Sequence, residues 1–337
     1  MPIDKDIRHD WSVNEVRTIF GQPVMELLYQ AASLHRRFHD PSEVQVCTLL
    51  SVKTGGCPED CAYCPQSSRY ETEVKSHPLL TIDEVLDAAQ RAKVSGSTRF
   101  CMGAAWRDVR DNEDFEAILR MVHAVRELEL EVCCTLGMLK PEQARRLKDA
   151  GLTAYNHNLD TSESFYPEII STRSYQERLD TLKAVRDAGL TVCCGGIVGM
   201  GESESDRIEM LQTLATLEPH PESVPINLLV AVEGTPLANS TPVSTWDMIR
   251  MIATARILMP SSMVRLSAGR LHLSPEAQAL CFLAGANSIF AGEKLLTTPN
   301  PSRSEDDSLF DLLGLKAKPA FDQPVDASPP GVRDAGR

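Results

Sequence analysis

The apolar residues of this chain follow two alternating patterns. Short β-branched or apolar runs, typical of buried strands, lie between longer amphipathic runs that indicate helices. The pattern predicts eight strands, at about 44–52, 98–105, 131–136, 153–158, 191–198, 225–232, 264–268 and 287–291. A helix is predicted after each strand, at about 81–95, 112–128, 141–150, 175–188, 204–217, 244–258, 275–284 and 305–313. This order is typical of a parallel sheet with helical crossovers.

Eight strand–helix units are the number that closes a (β/α)8 barrel, which we favour over an open doubly wound sheet. Two further helices are expected before the first strand, around 13–19 and 23–38. The tail from about 318 is rich in Pro, Asp and Ala without periodicity, which predicts disorder. The predicted α/β organisation is therefore an N-terminal helical extension, a TIM-type barrel and a disordered tail, at 1–43, 44–317 and 318–337.

Two helix starts carry a reciprocal capping signal. Thr81 with Glu84 and Ser174 with Glu177 fit capping boxes, in which each side chain satisfies the backbone N–H of the other residue. These pairs predict helices that begin just after Thr81 and just after Ser174.

Composition narrows the class of protein. The net charge of −13 argues against nucleic acid or an anionic membrane as the main partner. No run approaches the roughly 18 consecutive apolar residues of a membrane span, and the polar start MPIDKDIRHDWSVNE shows no secretory signal. We therefore expect a cytoplasmic protein, whose ten cysteines stay reduced and serve as core residues, metal ligands or catalytic thiols.

Three cysteines lie on one loop directly after the first predicted strand. Cys57, Cys61 and Cys64 form a C-x3-C-x2-C pattern, close enough in sequence to surround one metal centre. A closed zinc site or an ordinary cubane takes four protein ligands, so three leave one position open to a small molecule. An accidental cluster, or a zinc site completed by a distant Cys or His, remains the alternative. The loop follows a barrel strand, at the face where such barrels keep their chemistry.

A second group of cysteines lies inside the predicted strands: Cys101, Cys133, Cys134, Cys193 and Cys194. Side chains of a strand alternate in direction, so one member of each adjacent pair faces the barrel interior. Periodicity alone does not decide which member. Small core thiols are the alternative, but Arg265 in the seventh strand needs an anionic partner if it is buried.

Polar side chains cluster near the end of the fourth strand. Alternation places Asn156, Asn158 and Asp160 on one face, and Asn227 is an amide within the apolar sixth strand. These groups are suited to hydrogen-bonding a ligand, although amides at such positions also satisfy loop backbone. Arg178, early in its helix, is either a carboxylate-binding residue or a solvated surface arginine.

The cysteine loop, with Tyr63 before its third cysteine, resembles the radical S-adenosylmethionine enzymes. The turn Gly195-x-Ile197-x-Gly199-x-x-Glu202 resembles their adenine-binding turn. The resemblance implies that the loop holds a [4Fe-4S] cluster whose open iron binds S-adenosylmethionine. It further implies that Tyr63, Gly195 and Gly196 contact that cofactor.

Between about 44 and 302, colinear motifs resemble the biotin synthase family, among them FCMGAAW, YNHNLDTS, VRLSAGR and GANSIFAGEKLLTTPNP. By this resemblance a [2Fe-2S] cluster is bound by Cys101, Cys133, Cys193 and Arg265. Asn158, Asp160 and Arg178 are then expected to contact S-adenosylmethionine, and Asn156 and Asn227 to contact dethiobiotin. Four further cysteines are interpreted as packing residues: Cys47, Cys134, Cys194 and Cys281.

The resemblance implies an enzyme that inserts sulfur from the [2Fe-2S] cluster between two unactivated carbons of dethiobiotin, the last step of biotin formation. A deoxyadenosyl radical supplies the reactivity that acid–base chemistry lacks. A flavodoxin- or ferredoxin-type electron donor and a homodimer are also implied. A lipoyl synthase would be expected to carry a second cysteine triplet upstream, and residues 1–46 contain no cysteine. A biotin-synthase-like maturase, a zinc scaffold and an iron–sulfur electron carrier are the remaining alternatives.

Overall fold

The computed structural model describes residues 7–321, and its centre is a closed ring of parallel strands. The ring strands are β1 (Glu43–Lys53), β2 (Arg99–Ala104), β3 (Glu131–Thr135), β4 (Ala154–Asn156), β5 (Thr191–Cys193), β6 (Gly196–Val198), β7 (Ser223–Leu228), β8 (Met263–Leu266) and β9 (Ser288–Phe290). Strands β5 and β6 both pair with β7 and form two parts of one barrel strand. With β5 and β6 counted as one, the ring has eight strands, and the pairing of β9 with β1 closes it. This confirms the (β/α)8 prediction.

Helices surround this ring and connect its strands. Before the barrel lie α1 (Val13–Phe20) and α2 (Val24–Phe38), as predicted. The outer helices are α3 (Ile82–Val94), α4 (Glu113–Glu127), α5 (Pro141–Asp149), α6 (Tyr166–Ile169), α7 (Tyr175–Asp187), α8 (Glu204–Ala215), α9 (Thr245–Leu258), α10 (Pro275–Leu283) and α11 (Arg303–Leu313). A hairpin of β10 (Lys294–Leu295) and β11 (Thr298–Pro299) follows β9, and β12 (Lys316–Ala317) pairs with the start of β1.

Both predicted capping boxes are present. The Glu84 carboxylate accepts the backbone N–H of Thr81 at 2.8 Å, and Ser174 and Glu177 repeat the arrangement at the start of α7. Such caps contribute about 1 kcal/mol each by satisfying N–H groups that have no partner inside the helix. They fix the residues at which α3 and α7 begin, and therefore where the chain passes from the loops into the outer layer of helices.

Two apolar regions lie on opposite sides of the barrel wall. The larger fills the space between strands and helices and includes Cys134 and Cys194. The smaller lies inside the barrel and consists of Cys47, Cys101, Cys133, Ala154, Phe290 and Leu295. The wall therefore separates Cys133 from Cys134, as strand alternation requires. No helix within residues 7–321 is long and apolar enough to cross a membrane.

The fifth barrel strand, predicted as one run over 191–198, is interrupted between β5 and β6. A Cβ atom at Gly195 would lie 1.9 Å from the carbonyl oxygen of Pro225, and one at Gly196 would lie 2.1 Å from Met210 Sδ. The backbone therefore approaches β7 and α8 so closely that only glycine fits. This close approach brings the end of the fifth strand against the loop after β4.

The chain continues past β12 along the barrel. The N–H of Lys318 donates to the Val44 carbonyl oxygen at 2.8 Å, and the Arg126 guanidinium lies 3.9 Å from the centre of the Phe321 ring. The rest of the segment predicted to be disordered, 322–337, lies outside the described residues. The proposed boundaries at 43/44 and 317/318 stay predictions.

Candidate active site

The three-cysteine loop follows β1 and is held in place by its own backbone. The Cys57 N–H donates to the Gln66 carbonyl oxygen at 3.0 Å, and the Cys64 N–H donates to the Cys61 carbonyl oxygen at 2.9 Å. The Gln66 side chain accepts the N–H of Gly55 at 3.1 Å. This folding brings all three thiols to one cavity at the carboxyl ends of the strands.

These thiols are costly to ionise without a bound cation. Burial raises the pKa of Cys57, raises that of Cys61 to about 11 and raises that of Cys64 to about 12. Repulsion from Cys61 adds to the shift at Cys64. Iron binds the thiolate form, so a bound cluster would supply the positive charge that the loop lacks.

The loop differs from a single-ion site. Within residues 7–321, no three His, Cys, Asp or Glu side chains are placed so that they could hold one metal ion. Thiolates around one zinc stand only about 4 Å apart, because each Zn–S bond is about 2.3 Å long. The thiols of a polynuclear cluster stand farther apart, so a zinc site and a cluster require different spacings of the three loop thiols.

The polar residues at the end of β4 and just after it line the same cavity, as alternation predicts. Asn156, Asn158 and Asp160 all face it. The Tyr63 hydroxyl donates to Asp160 Oδ2 at 2.7 Å, and Asn158 Oδ1 accepts the N–H of Gly195 at 3.2 Å. These bonds connect the cysteine loop to the end of the fourth and fifth strands and fix the direction of each polar group.

Two arginines near this cluster occupy different places. Arg178 is buried behind Asp160, forms an ion pair with it and donates from Nε to the Tyr166 hydroxyl at 2.7 Å. Arg173 lines the cavity, with Nη2 3.7 Å from Cys61 Sγ. Its buried Nε makes no hydrogen bond to any described residue but lies 3.7 Å from Glu59 Oε2 in an ion pair. Arg173 therefore faces the cavity, whereas Arg178 orients Asp160.

The strand thiols meet at the inner end of the cavity. Cys101 and Cys133 belong to the cluster inside the barrel. The Cys193 sulfur accepts from Asn156 Nδ2 at 3.2 Å and from Arg265 Nη1 at 3.6 Å. We call this group, Cys101, Cys133 and Cys193 with Arg265, the inner nest.

The inner nest lies above a charged floor. Arg99 and Glu131, on inward positions of β2 and β3, form an ion pair at 2.7 Å, and Gln45 donates to Glu131 at 3.2 Å. Arg265 is 1 % exposed, and among the described residues it has no carboxylate partner. It donates to Ser288 Oγ at 2.9 Å, to Gln45 Oε1 at 3.3 Å and to sulfur. With the thiols protonated, the interior therefore carries one uncompensated positive charge, which calls for an anion.

One cavity of about 310 Å³ connects the loop with the inner nest. Asn227 lines it, donating to the Gly196 carbonyl oxygen at 2.9 Å and accepting the Ala268 N–H at 3.2 Å. Ile197 also lines it, whereas Gly195 and Gly196 shape the wall through their backbone and are not among the lining residues. Leu296 and Thr297 of the β10–β11 hairpin border the opposite side.

Sequence reasoning missed three parts of this site: Arg173, the Arg99–Glu131 floor and Cys47. The Cys47 sulfur lies 3.3 Å from Arg265 Nη2, so packing alone does not describe that residue. Strand alternation was the available signal, because it places 45, 47 and 49 on one face of β1. By contrast, Cys281 is buried in α10, as expected of a packing residue.

Comparison with known families gives two matches along the chain. The description "Radical SAM superfamily" applies to residues 51–214, and "Biotin and Thiamin Synthesis associated domain" applies to residues 225–316. The first span contains the cysteine loop and the polar cluster after β4. The second contains most of β7 and all of β8 and β9, and therefore Asn227 and Arg265.

Curated relatives match nearly the whole chain. A biotin synthase of Cytophaga hutchinsonii is 61% identical over 316 residues, which cover 94% of each protein. A biotin synthase of Methylococcus capsulatus is 63% identical over 310 residues, covering 92% of this chain and 95% of that protein. Mitochondrial biotin synthase of Arabidopsis thaliana is 61% identical over 313 residues, covering 93% and 83%.

Solved structures share the fold at low identity. A methylornithine synthase superimposes with a TM-score of 0.77 and 19% identity, covering 94% of this chain and 97% of that one. An FeFe-hydrogenase maturase from Carboxydothermus hydrogenoformans gives a TM-score of 0.77 and 17% identity, covering 94% and 77%. At such identities the likeness concerns the barrel alone.

Proposed function

Because the chain belongs to the biotin synthase family, we propose that it converts dethiobiotin to biotin by radical S-adenosylmethionine-dependent insertion of sulfur. One observation carries this proposal: a single cavity has three loop thiols at its mouth and a second group of thiols at its inner end. Such a cavity can hold a small substrate between a radical source and a sulfur source.

The donor sets fit two different iron–sulfur clusters. At the loop, Cys57, Cys61 and Cys64 would hold a [4Fe-4S] cluster with one iron open to S-adenosylmethionine. In the inner nest, a [2Fe-2S] cluster would be bound by Cys101, Cys133, Cys193 and Arg265. Two ferric ions, two sulfides and three thiolates carry one net negative charge, which matches the uncompensated positive charge of the barrel interior.

The polar residues of the cavity would position both organic ligands. We assign Tyr63, Asn158 and Asp160 to S-adenosylmethionine, with Arg178 holding Asp160 in place and the Gly195–Gly196 backbone forming the wall. Asn156 and Asn227, deeper in the cavity, would bind the ureido ring of dethiobiotin.

When bound, the clusters and S-adenosylmethionine supply the electron, the hydrogen-abstracting radical and the sulfur atom. The chain contributes position and protection. Its aliphatic side chains, among them Leu49, Leu295 and Leu296, enclose the space between loop and nest. Enclosure matters because a carbon radical reacts with whatever reaches it, so water and solvent must be kept out.

Three assignments follow from the family alone or from indirect support. A flavodoxin- or ferredoxin-type protein is proposed as the one-electron donor, and a homodimer as the assembly. The cytoplasm is proposed as the compartment, supported by ten free thiols in one chain. Light scattering of the purified protein tests the dimer directly.

The function is tested by comparing anaerobically purified wild type with Cys101→Ala. Wild type should contain both cluster types by iron, sulfide and Mössbauer analysis, and should form biotin from dethiobiotin, S-adenosylmethionine and a reductant. The Cys101→Ala variant should lose the [2Fe-2S] signal and biotin formation while keeping the [4Fe-4S] signal. Cys281→Ala, in the core of α10, is the matched control and should keep both. Zinc at the loop, or both clusters unchanged in Cys101→Ala, would overturn the proposal.

A further inference from the structure

A fourth thiol lies beside the inner nest, and no assignment above uses it. Cys47, on β1, is fully buried and packs with Cys101 and Cys133 inside the barrel. Its sulfur accepts a hydrogen bond from Arg265 Nη2 at 3.3 Å. The two residues are 218 positions apart in the sequence, so only barrel closure brings them together.

The inner nest and Cys47 together thus offer five groups for the four ligand positions of a [2Fe-2S] cluster. Four are thiols, from β1, β2, β3 and β5, and the fifth is the guanidinium of Arg265 on β8. Four thiolates are the ordinary ligand set of such a cluster. A protonated guanidinium, in contrast, has five N–H donors and no lone pair for a metal.

Arg265 and Cys47 reach the same corner of the nest. Arg265 Nη1 points to Cys193 and Nη2 to Cys47, while Nε is held by Ser288. The Cys47 sulfur lies 3.3 Å from a guanidinium nitrogen, so Cys47 and Arg265 present a sulfur and a nitrogen to the same side of the nest.

We propose that Cys47 is an alternative iron ligand of the second cluster, at the coordination position otherwise filled by Arg265. This inference rests on the proposed function. Either group alone keeps the cluster bound, and losing both releases it. A spare thiolate suits a cluster that gives up a sulfide, since an iron that loses one bond can keep another ligand from the protein.

The test uses three variants of the full chain, loaded with iron and sulfide under anaerobic conditions. Cys47→Ser and Arg265→Met should each keep the [2Fe-2S] cluster by Mössbauer analysis. The double variant should hold at least about tenfold less of it, a loss typical of removing metal-binding support. Methionine replaces arginine because it fills a similar volume without N–H donors. The [4Fe-4S] signal of the same samples reports whether each variant is folded.

Resonance Raman spectroscopy distinguishes a ligand from a packing residue. In Arg265→Met the cluster should gain iron–thiolate stretching intensity relative to wild type, because Cys47 replaces a nitrogen ligand. Combining Arg265→Met with Cys281→Ser, which removes a buried thiol far from the nest, should leave that spectrum unchanged. A double Cys47–Arg265 variant that keeps the cluster, or an Arg265→Met variant that loses it alone, would overturn the inference.

The two proposals fail in different ways. Absence of any [2Fe-2S] cluster in wild type, or its survival in Cys101→Ala, contradicts the proposed function itself. A cluster that is present in wild type, lost in Cys101→Ala and retained in the Cys47–Arg265 double variant contradicts only the role of Cys47.

Discussion

Adjacent cysteines in this barrel have opposite surroundings. Cys133 faces the interior, beside Cys101 and the charged floor, whereas Cys134 lies between the strand and its outer helices. A hydrogen bond from Cys101 lowers the pKa of Cys133, while burial raises that of Cys134 well above its usual value. The surroundings of Cys133 therefore favour the thiolate form that the proposed cluster requires, whereas Cys134 packs as a neutral thiol.

This contrast predicts different outcomes for two neighbouring substitutions. Cys133→Ala should lower the [2Fe-2S] content at least about tenfold and abolish biotin formation, because it removes one of the proposed ligands. Cys134→Ala should keep the cluster and cost only about 1 kcal/mol of stability, for one buried atom removed. Iron and sulfide analysis with urea unfolding checks both. Equal cluster loss in the two variants would contradict the placement of Cys133 inside the barrel and Cys134 outside it.

At the scale of elements, periodicity and capping predicted most of what is seen. The helix starts at Thr81 and Ser174 have the expected caps, because a capping box is a local interaction. The fifth strand was predicted as continuous, and its break is not local. It results from contact between Gly195 and the Pro225 carbonyl, which a single segment cannot reveal.

A buried histidine couples the N-terminal extension to the barrel. His35, on α2, is 4 % exposed, and its Nε2 has no hydrogen-bond partner among the described residues. Burial, and then the positive charge of Arg256 on α9, lower the pKa of His35 to about 3. Below the ordinary histidine pKa of about 6.5, the unfolded chain binds a proton that the folded chain does not. Stability should therefore fall as the pH is lowered.

His35→Gln should weaken this dependence on pH. From pH 7 to pH 5, wild type should lose about 2 kcal/mol of unfolding free energy through His35, and the variant should lack that loss. Anaerobic urea unfolding followed by circular dichroism measures the difference. His123→Gln, at an exposed position of α4, is the control and should keep the wild-type slope. Parallel pH profiles for His35→Gln and wild type would refute the coupling.

For the whole molecule, the cysteine loop was predictable because its residues are close in sequence. The charged floor and Cys47 were not, because their contacts join residues on different strands, neighbouring ones for Arg99 and Glu131 and distant ones for Cys47 and Arg265. Strand alternation indicates that a residue faces inward, but not which inward residues share a layer. That depends on the relative shift of strands around the closed ring.

Closure of the ring depends on the last two strand–helix units. Arg270, just after β8, is fully buried and forms an ion pair with Asp306 of α11, whose side chain is 3 % exposed. Arg270 Nη1 also donates to the Phe290 carbonyl oxygen at 3.0 Å, at the end of β9. Because β9 pairs with β1, this arginine links the helix of the eighth unit to the strand that completes the barrel.

Asp306→Asn should therefore destabilise the entire barrel. The substitution keeps the shape of the side chain but leaves the Arg270 charge buried without a carboxylate, which costs about 3–5 kcal/mol. Asp307, the next residue, forms an exposed ion pair with Arg303 and provides the control. Asp307→Asn should lower the free energy of unfolding by only about 0–1 kcal/mol. Urea unfolding measures both values, and hydrogen exchange should show β1 and β9 losing protection together in Asp306→Asn. Both strands are expected to respond, because a ring that opens at β9 also exposes the edge of β1. Loss of protection in α11 alone would mean that the ion pair anchors one helix and does not close the barrel.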